Sequence, residues 1–385
     1  MKIKLMNKIA SVGTDVFDKS RYTVSEDVAG AEAIMVRSAA LHEMAFEPEL
    51  LAIARCGAGV NNIPVDRCAE EGIVVFNTPG ANANGVKELA ILSLILASRD
   101  VVGGIEWAKT LAGTPDVAKA VEKGKGAYVG HELSGKTLGV IGLGAIGGMV
   151  ANAGIHLGMN VVGCDPFLSV AGAWSLSRAV HRAATFDDIY ATADYITLHV
   201  PATPDTKKMI NRETIAKMKD GVRILNLARA DLVDAEAIKE ALASGKVAAY
   251  VTDFPTEETV GVPGIVAIPH LGASTVEAED NCAVMAAEEL IEYLECGNIK
   301  NSVNYPAVSI PHNGAARITV LHKNIPNVLT NITGHVSSHG INISNMSNGS
   351  KGDYAYTILE LDDAVPAGTE EALMKIAGVI RVRIL

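Results

Sequence analysis

Short apolar runs alternate with amphipathic stretches over the first hundred residues. Ala33–Val36 (AIMV), 51–54 (LAIA) and 73–76 (IVVF) are too short and too rich in β-formers for helices, and read as buried strands. Gly57-Ala58-Gly59 and Asn77-Thr78-Pro79-Gly80 punctuate them. A second series opens near Lys136, with strands at Thr137–Ile141, 161–164, Tyr195–Leu198, 223–227 and 249–252. Helical patterns lie between them. The 234–243 stretch has Asp234 as its cap and Gly245 as its stop. Alternation of this kind predicts parallel sheets covered by helices. A long helical pattern follows over 274–296, then a Pro-interrupted linker over 301–311.

The last seventy residues follow another plan. Strands are predicted at 316–321, 341–345, Tyr354–Leu361 and Val379–Ile384, with helices at 327–339 and 369–376. Two β-α-β units in that order give a small α+β ferredoxin-like module. The expected fold class is therefore α/β, with two Rossmann-like, doubly wound parallel-sheet lobes and that module at the C-terminus.

The chain has 385 residues, 49% of them apolar and 20% charged, enough for two or three domains with substantial cores. The net charge is −11 and no basic cluster appears, so neither nucleic acid nor a membrane surface is an expected partner. The longest strongly apolar stretch, 89–98, is half of what a bilayer span needs. The first ten residues show no apolar signal core. Five cysteines without a CxxC pair fit a reducing cytoplasm and argue against a disulfide framework or a metal site.

Gly142-Leu143-Gly144-Ala145-Ile146-Gly147 directly follows a predicted strand and opens an apolar helix. Gly142 permits the tight turn, Gly144 lets the backbone approach a pyrophosphate, and Gly147 lets the helix pack on the sheet. The helix N-terminus supplies unpaired N–H groups to the phosphates. Asp165 follows the next strand, where its carboxylate can hold a ribose 2′-hydroxyl and repel a 2′-phosphate. The cofactor expected is NAD rather than NADP. The motif lies more than a hundred residues into the chain, so the nucleotide domain follows an earlier α/β unit. The 274–296 helix can return the chain to that unit, giving two lobes with a cleft for a small substrate.

Oxidising an alcohol carbon with NAD requires a group that moves the hydroxyl proton. A 2-hydroxy acid also requires a cation for its carboxylate. Arg229, Glu257 and His270 each follow a predicted strand end, where open α/β sheets bind ligands. A histidine suits proton transfer near neutral pH, and an arginine suits a carboxylate. Each also has an ordinary reading, as a loop histidine, a strand-end ion pair or a solvated turn acid. Spacing alone does not separate these.

These segments resemble the D-isomer-specific 2-hydroxy-acid dehydrogenase family. The resemblance runs through Arg37-Ser38, ARCGAGVNN (54–62), FNTPGANANGVKELA (76–90), TLGVIGLGAIG (137–147), LHVPAT (198–203), LNLARADLVD (225–234), DFPTE (253–257) and PHLGAST (269–275). It implies a catalytic set of Arg229, Glu257 and His270, with His270 exchanging the C2 hydroxyl proton, Glu257 orienting it and Arg229 holding the carboxylate. It places NAD against Thr78, Gly142, Gly144, Ala145, Ile146, Gly147, Asp165, Val200, Leu227, Ala228, Asp253, Gly272 and Ala273. The Gly57–Asn61 turn, with Gly57, Ala58 and Gly59, resembles the loop whose N–H groups hold the substrate carboxylate. Arg37, Arg55 and Lys125 are candidates for a substrate phosphate.

The family pattern D-V-F-P-x-E is one residue shorter here. Counting forward from Arg229 puts Asp253 on the family aspartate, and counting back from Glu257 puts Thr252 there; Asp253 carries the carboxylate. The C-terminal module resembles an ACT domain, which implies His322, Asn324 and Asn342 as contacts for a serine effector. The expected division is a substrate-binding domain over 1–98 and 283–305, an NAD-binding domain over 99–282 and an ACT-like domain over 313–385. The expected partners are a phosphorylated 2-hydroxy acid and further copies of the chain, as a homodimer or homotetramer. The alternatives are a dehydrogenase for 2-hydroxyglutarate, glycerate or hydroxypyruvate, and an NAD-sensing, corepressor-like binding protein.

Overall fold

The structure is a computed structural model that describes residues 1–385. Two compact units divide the chain, one built from Met1–Asn82 with Glu279–Leu385, the other from Ala83–Ala278.

The first unit opens with β1 (Lys2–Met6), β2 (Thr23–Ser25), β3 (Ala33–Val36), β4 (Ala52–Arg55) and β5 (Val74–Asn77). All pair in parallel, in the order β2-β1-β3-β4-β5. β3 is buried along its whole length, which explains its unbroken apolar run. β1 mixes two lysines into its five residues and carries no such signal. The strand order reverses between β1 and β3, so the carboxyl ends of these two strands open a crevice.

The second unit begins with helix α1 (Ala83–Ser98), followed by β6 (Thr137–Ile141), helix α2 (Ala145–His156), β7 (Asn160–Cys164), β8 (Val180–Arg182), β9 (Tyr195–Leu198), β10 (Val222–Asn226), β11 (Val247–Thr252) and β12 (Ile265–Ala267). The seven strands are parallel, in the order β12-β11-β10-β9-β6-β7-β8. This is a doubly wound sheet with its switch point between β6 and β9. α1 packs on α2 and on β10 and β11, with Val86, Ala90 and Leu94 entering that core. Asp234 caps the following helix by accepting from the N–H groups of Glu236 and Ala237.

Helix α3 (Val276–Cys296) carries the chain back into the first unit. Ala286, Leu290 and Tyr293 on α3 join the β1–β5 core there. The module that follows contains β13 (Ala316–Lys323), helix α4 (Val328–Ser338), β14 (Ile343–Lys351), β15 (Tyr354–Leu361), helix α5 (Thr369–Met374) and β16 (Val379–Ile384). Its antiparallel order β14-β15-β13-β16 is ferredoxin-like. Ile318, Val320, Leu359 and Leu361 face the two helices. Leu321, Tyr356 and Ile358 face the core of the N-terminal lobe. The module is thus docked by an apolar sheet face. Arg317 and Arg383 reinforce it by donating to the carbonyls of Cys296, Tyr293 and Leu294 at the C-terminal end of α3.

Candidate active site and cofactor cradle

The β6–α2 turn lies at the switch point of the second unit. Gly142 has φ +88°, and a Cβ there would come within 2.5 Å of the His199 carbonyl. A Cβ at Gly147 would lie 1.9 Å from the Gly142 carbonyl. A Cβ at Gly144 would meet open space, leaving this stretch of backbone approachable. Ala145, Ile146 and Gly147 form the first turn of α2, whose N–H groups have no partner within the helix. His199 bonds Thr197 Oγ1 through Nε2 at 2.9 Å, and burial pushes its imidazole down to about 4. It stays neutral behind the turn. Val200 packs against Gly142.

Asp165 follows β7, and both its oxygens are oriented by backbone. Oδ2 accepts from Leu143 N at 2.9 Å and Oδ1 from Phe167 N at 2.8 Å. It borders two hollows of about 480 and 290 Å³. The first is floored by Gly144, Ala145 and Gly148, and the second is lined by Leu143, His181 and Arg182. A ribose hydroxyl can donate to either Asp165 oxygen.

The other end of the cradle lies at β10–β12. Asn226 is fully buried, and its Oδ1 accepts from the N–H groups of Ala228 and Arg229, while its Nδ2 donates to the Arg229 carbonyl and to Tyr250. That amide shapes the Leu227–Arg229 turn. The exposed Arg229 guanidinium lies 5.8 Å from the Phe254 ring centre. On the same ring, His270 packs with centroids 4.5 Å apart.

Asp253 follows β11 and is 1% exposed, with an Oδ1 that has no partner. Burial pushes its carboxyl up, against the opposing pull of His270, the Gly272 N–H and Arg229. Gly272 is pressed between Asp253 and Val86. An unpartnered buried acceptor is what the carboxamide N–H₂ of a nicotinamide would satisfy, so the residues present fit NAD at both ends of the cradle. Thr252, the alternative register, ends β11 and spends its Oγ1 on Phe254 N.

Arg229, Asp253 and His270 are therefore brought together around Phe254. Glu257 is not. It forms no hydrogen bond or ion pair with His270. Thr256 N donates to Thr259 Oγ1 and Thr259 N to the Thr256 carbonyl, and the turn buries Thr259 while leaving Glu257 and Glu258 exposed. The shortened D-F-P-T-E segment leads directly into this turn. The acid that faces the imidazole is Asp253.

In the first unit, Arg37 follows β3 and Arg55 ends β4, next to each other at the carboxyl edge of the sheet. Arg55 Nε donates to the Arg37 carbonyl at 3.2 Å. Burial, and to a lesser degree the Arg37 charge, hold Arg55 below its usual value. Arg37 is already paired with Glu279 on α3. Gly57 has φ +141°, and a Cβ would occupy the place of the Arg55 guanidinium. The Gly57–Gly59 turn is tied down by Thr78 N to the Gly57 carbonyl and by Asn77 Nδ2 to the Ala58 carbonyl. Thr78 is fully buried and its Oγ1 has no partner. Lys125 belongs to the second unit, on an exposed turn, and pairs there with Glu122.

Sequence reasoning missed Asn7, Asn226, Phe254 and Glu279. Asn7 lies at the β1–β3 switch point with φ 127°, and its Oδ1 accepts from the N–H groups of Arg37, Ser38 and Ala39. A polar residue closing the apolar run RILN was the signal available for Asn226.

The effector contacts expected in the C-terminal module do not form one site within the chain. His322 is buried, with Nε2 on Thr357 Oγ1 and Nδ1 on the Lys323 carbonyl. Asn324 donates to the Gly352 carbonyl at the same end of the hairpin. Asn342 donates to Asp362 at the opposite end of β15, about 20 Å away along the strand. The antiparallel pairing of β13 with β15 separates them.

Residues 105–272 match the family model "D-isomer specific 2-hydroxyacid dehydrogenase, NAD binding domain". The D-3-phosphoglycerate dehydrogenase of Escherichia coli K12 is 32% identical over 353 residues, covering 88% of this chain and 82% of that protein. The chain belongs to the D-isomer-specific 2-hydroxyacid dehydrogenase family. The Bacillus subtilis D-3-phosphoglycerate dehydrogenase is 34% identical over 332 residues, which are 80% of this chain and 60% of that protein. The NAD⁺-bound 3-phosphoglycerate dehydrogenase of Entamoeba histolytica superposes with a TM-score of 0.59 at 25% identity, over 79% of this chain and 98% of that one. D-2-hydroxyisocaproate dehydrogenase shares the dehydrogenase fold, with a TM-score of 0.64 at 20% identity, over 79% and 100%. No helix of the structure is long and apolar enough to cross a membrane.

Proposed function

We propose that the protein oxidises D-3-phosphoglycerate to 3-phosphooxypyruvate with NAD, the first step towards L-serine. The observation that carries this reading is the convergence of Arg229, Asp253 and His270 at the carboxyl ends of β10–β12. Bound NAD supplies the hydride acceptor. The imidazole of His270 takes the C2 hydroxyl proton, and the neighbouring Asp253 anion favours the imidazolium so formed. Arg229 binds the carboxylate through its planar pair of donors and polarises the forming carbonyl. Asp165, the Gly142–Gly147 turn and the first turn of α2 hold the dinucleotide. Glu257 remains the third member of the catalytic set by resemblance, and its turn must open for it to reach the imidazole.

Arg37 and Arg55 form the phosphate subsite, and the Gly57–Gly59 turn offers N–H groups to the substrate carboxylate. A phosphate dianion relieves the repulsion between the two guanidiniums. The Arg37–Glu279 pair favours a second reading, since a 2-keto acid without phosphate leaves that pair intact. Exposed Val101, Val102 and Ile105 on one helix support a homo-oligomer.

The test is NADH oxidation with 3-phosphooxypyruvate, hydroxypyruvate and 2-oxoglutarate in parallel. The expected result is a kcat/KM for the phosphorylated acid at least about tenfold above the others, roughly 1.4 kcal/mol of transition-state preference. Equal or lower activity with the phosphorylated acid overturns the substrate. No turnover of any keto acid, with NADH still bound, leaves the binding-protein alternative.

A further inference from the structure

Helix α3 turns an apolar stripe into the first unit, with Ala286, Leu290 and Tyr293 all fully buried. Glu289 lies within that stripe and is only 6% exposed. Its Oε1 accepts from Asn301 Nδ2 at 2.6 Å, while its Oε2 is buried and has no partner. An unmatched carboxylate oxygen in a core is costly, on the order of 1–3 kcal/mol. No feature of the dehydrogenase reaction uses it.

Glu289 borders a hollow of about 350 Å³ lined also by Met285, Glu288, Glu292, Asn298 and Lys300. Three carboxylates face one lysine, so the hollow is anionic. Glu292 already accepts from Asn298 Nδ2 at 2.6 Å, which fixes that wall. Lys300 is exposed at the rim and forms no ion pair. No three acidic, histidine or cysteine side chains of the structure are placed to hold a metal ion, which argues against a chelated divalent cation. A small alkylammonium carries one charge, several donors and an apolar tail. It matches the Glu289 side chain on the wall of the hollow, the neighbouring carboxylates and the Met285 wall together.

We propose that this hollow is a binding site for a small organic ammonium ion, anchored on Glu289 and flanked by Glu288 and Glu292. The site communicates with the Gly57–Gly59 turn through consecutive hydrogen bonds. Asn301 donates to Glu289, Asn77 N donates to the Asn301 carbonyl at 3.3 Å, and Asn77 Nδ2 donates to the Ala58 carbonyl at 2.6 Å. An occupied site therefore adjusts that turn. This second half rests on the proposed role of the turn in substrate binding, and the first half does not.

The groups facing Glu289 are Glu288 and Glu292 on its own helix, Lys300 on the adjoining segment and Cys56 beyond β4. Burial is the main cause that pushes its carboxyl up to about 7. Ammonium binding needs the ionised form and so strengthens with pH. The test is calorimetric titration of the full-length protein with ethylammonium chloride at pH 6 and pH 8, at constant ionic strength. The expected result is an affinity about tenfold higher at pH 8, and loss of both the pH effect and at least tenfold in affinity in Glu289→Gln. Glu288→Gln, on the exposed side, weakens binding less and serves if the first variant does not fold. No binding by the wild type, equal binding by Glu289→Gln, or equally effective competition by sodium chloride overturns the site. In the wild type, ethylammonium changes KM for the keto acid at constant kcat, and in Glu289→Gln it does not. An unchanged KM with intact binding overturns the coupling alone.

Discussion

The imidazole of His270 packs on the Phe254 ring with centroids 4.5 Å apart, close enough to the buried carboxylate of Asp253 to pull against the effect of its burial. Glu257, three residues beyond Phe254, turns outward. The two acids therefore make separable contributions. Replacing Asp253 with Asn removes the anion that stabilises the imidazolium and is expected to lower kcat/KM by about tenfold or more, as a lost charge-assisted contact of roughly 1.5–3 kcal/mol does. Glu257→Gln is expected to lose several-fold less. Steady-state kinetics of both variants decide the matter. A larger loss in Glu257→Gln means that the Thr256–Thr259 turn opens during catalysis and that Glu257 is the working partner.

Asp253 also carries a stability cost of determinate sign. Its folded-state carboxyl is raised by burial, while in the unfolded chain it titrates near about 3.9. The folded state thus holds the proton more tightly, and stability falls as the pH rises from the unfolded value through the folded one. Asp253→Asn cannot ionise and escapes that loss. Thermal melts at pH 4 and pH 8 should show the variant gaining on the wild type as the pH rises. A difference that does not change with pH contradicts the assignment of the orphaned oxygen.

The Arg37–Glu279 pair sets a threshold for phosphate binding. Both side chains are more than 40% exposed, so the pair is worth at most about 1 kcal/mol. Glu279→Gln frees Arg37 and is expected to lower KM for 3-phosphooxypyruvate by about two- to fivefold, with no change for hydroxypyruvate. Arg37→Gln should raise the first and spare the second. Equal effects on both keto acids would place Arg37 outside the phosphate subsite.

Cofactor choice should turn on Asp165 with unusual ease. Arg182 lines the same hollow, with His181 beside it, so a cation for a 2′-phosphate is already in place once the carboxylate is removed. Asp165→Ser should raise kcat/KM for NADP by about tenfold or more and lower it for NAD. An unchanged ratio of the two cofactors removes Asp165 from the ribose site.

The sequence carries the parallel strands because β3, β4, β5 and β9 are buried along nearly their whole length and appear as short, mostly apolar runs. β1, β2, β8 and β12 escape notice: the lysines of β1 and the three-residue length of the others give no period to detect. The glycine turn was legible because Gly142 and Gly147 answer steric demands visible in the spacing, while Gly144 keeps the backbone open to approach. Asp253 was identified by its carboxylate, although the local register left Thr252 open. What did not show was direction. The sequence brings Glu257 near His270 in order but cannot reveal that a two-threonine turn points it away. Likewise His322 has the chemistry of an effector contact, and only the pairing of β13 with β15 reveals that Thr357 and the Lys323 carbonyl already occupy it.

Arg317 reinforces the docking of the C-terminal module, and removing it from its buried ion pair with Glu360 inside the module has a predictable signature. Arg317 is fully buried and bonds Glu360 through Nε, the Cys296 carbonyl and Asn298 Oδ1 through Nη1, and the Ile310 carbonyl through Nη2. Burial pushes Glu360 up, but the Gly314 N–H, Arg317 and His312 outweigh it and hold the carboxyl below its usual value. A lowered carboxyl stabilises the fold above its unfolded value and loses that contribution as the pH falls through the folded one. Arg317→Ala leaves the buried Glu360 carboxylate without its ion-pair partner and should cost about 3–5 kcal/mol. Glu360→Gln together with Arg317→Met should cost much less, because no charge is stranded. Calorimetric melts separate the cases, and the NAD-binding unit, which contains neither residue, should keep its NADH affinity in both. If Arg317→Ala melts like the wild type, Arg317 does not hold the module in place and the apolar sheet face alone accounts for its docking.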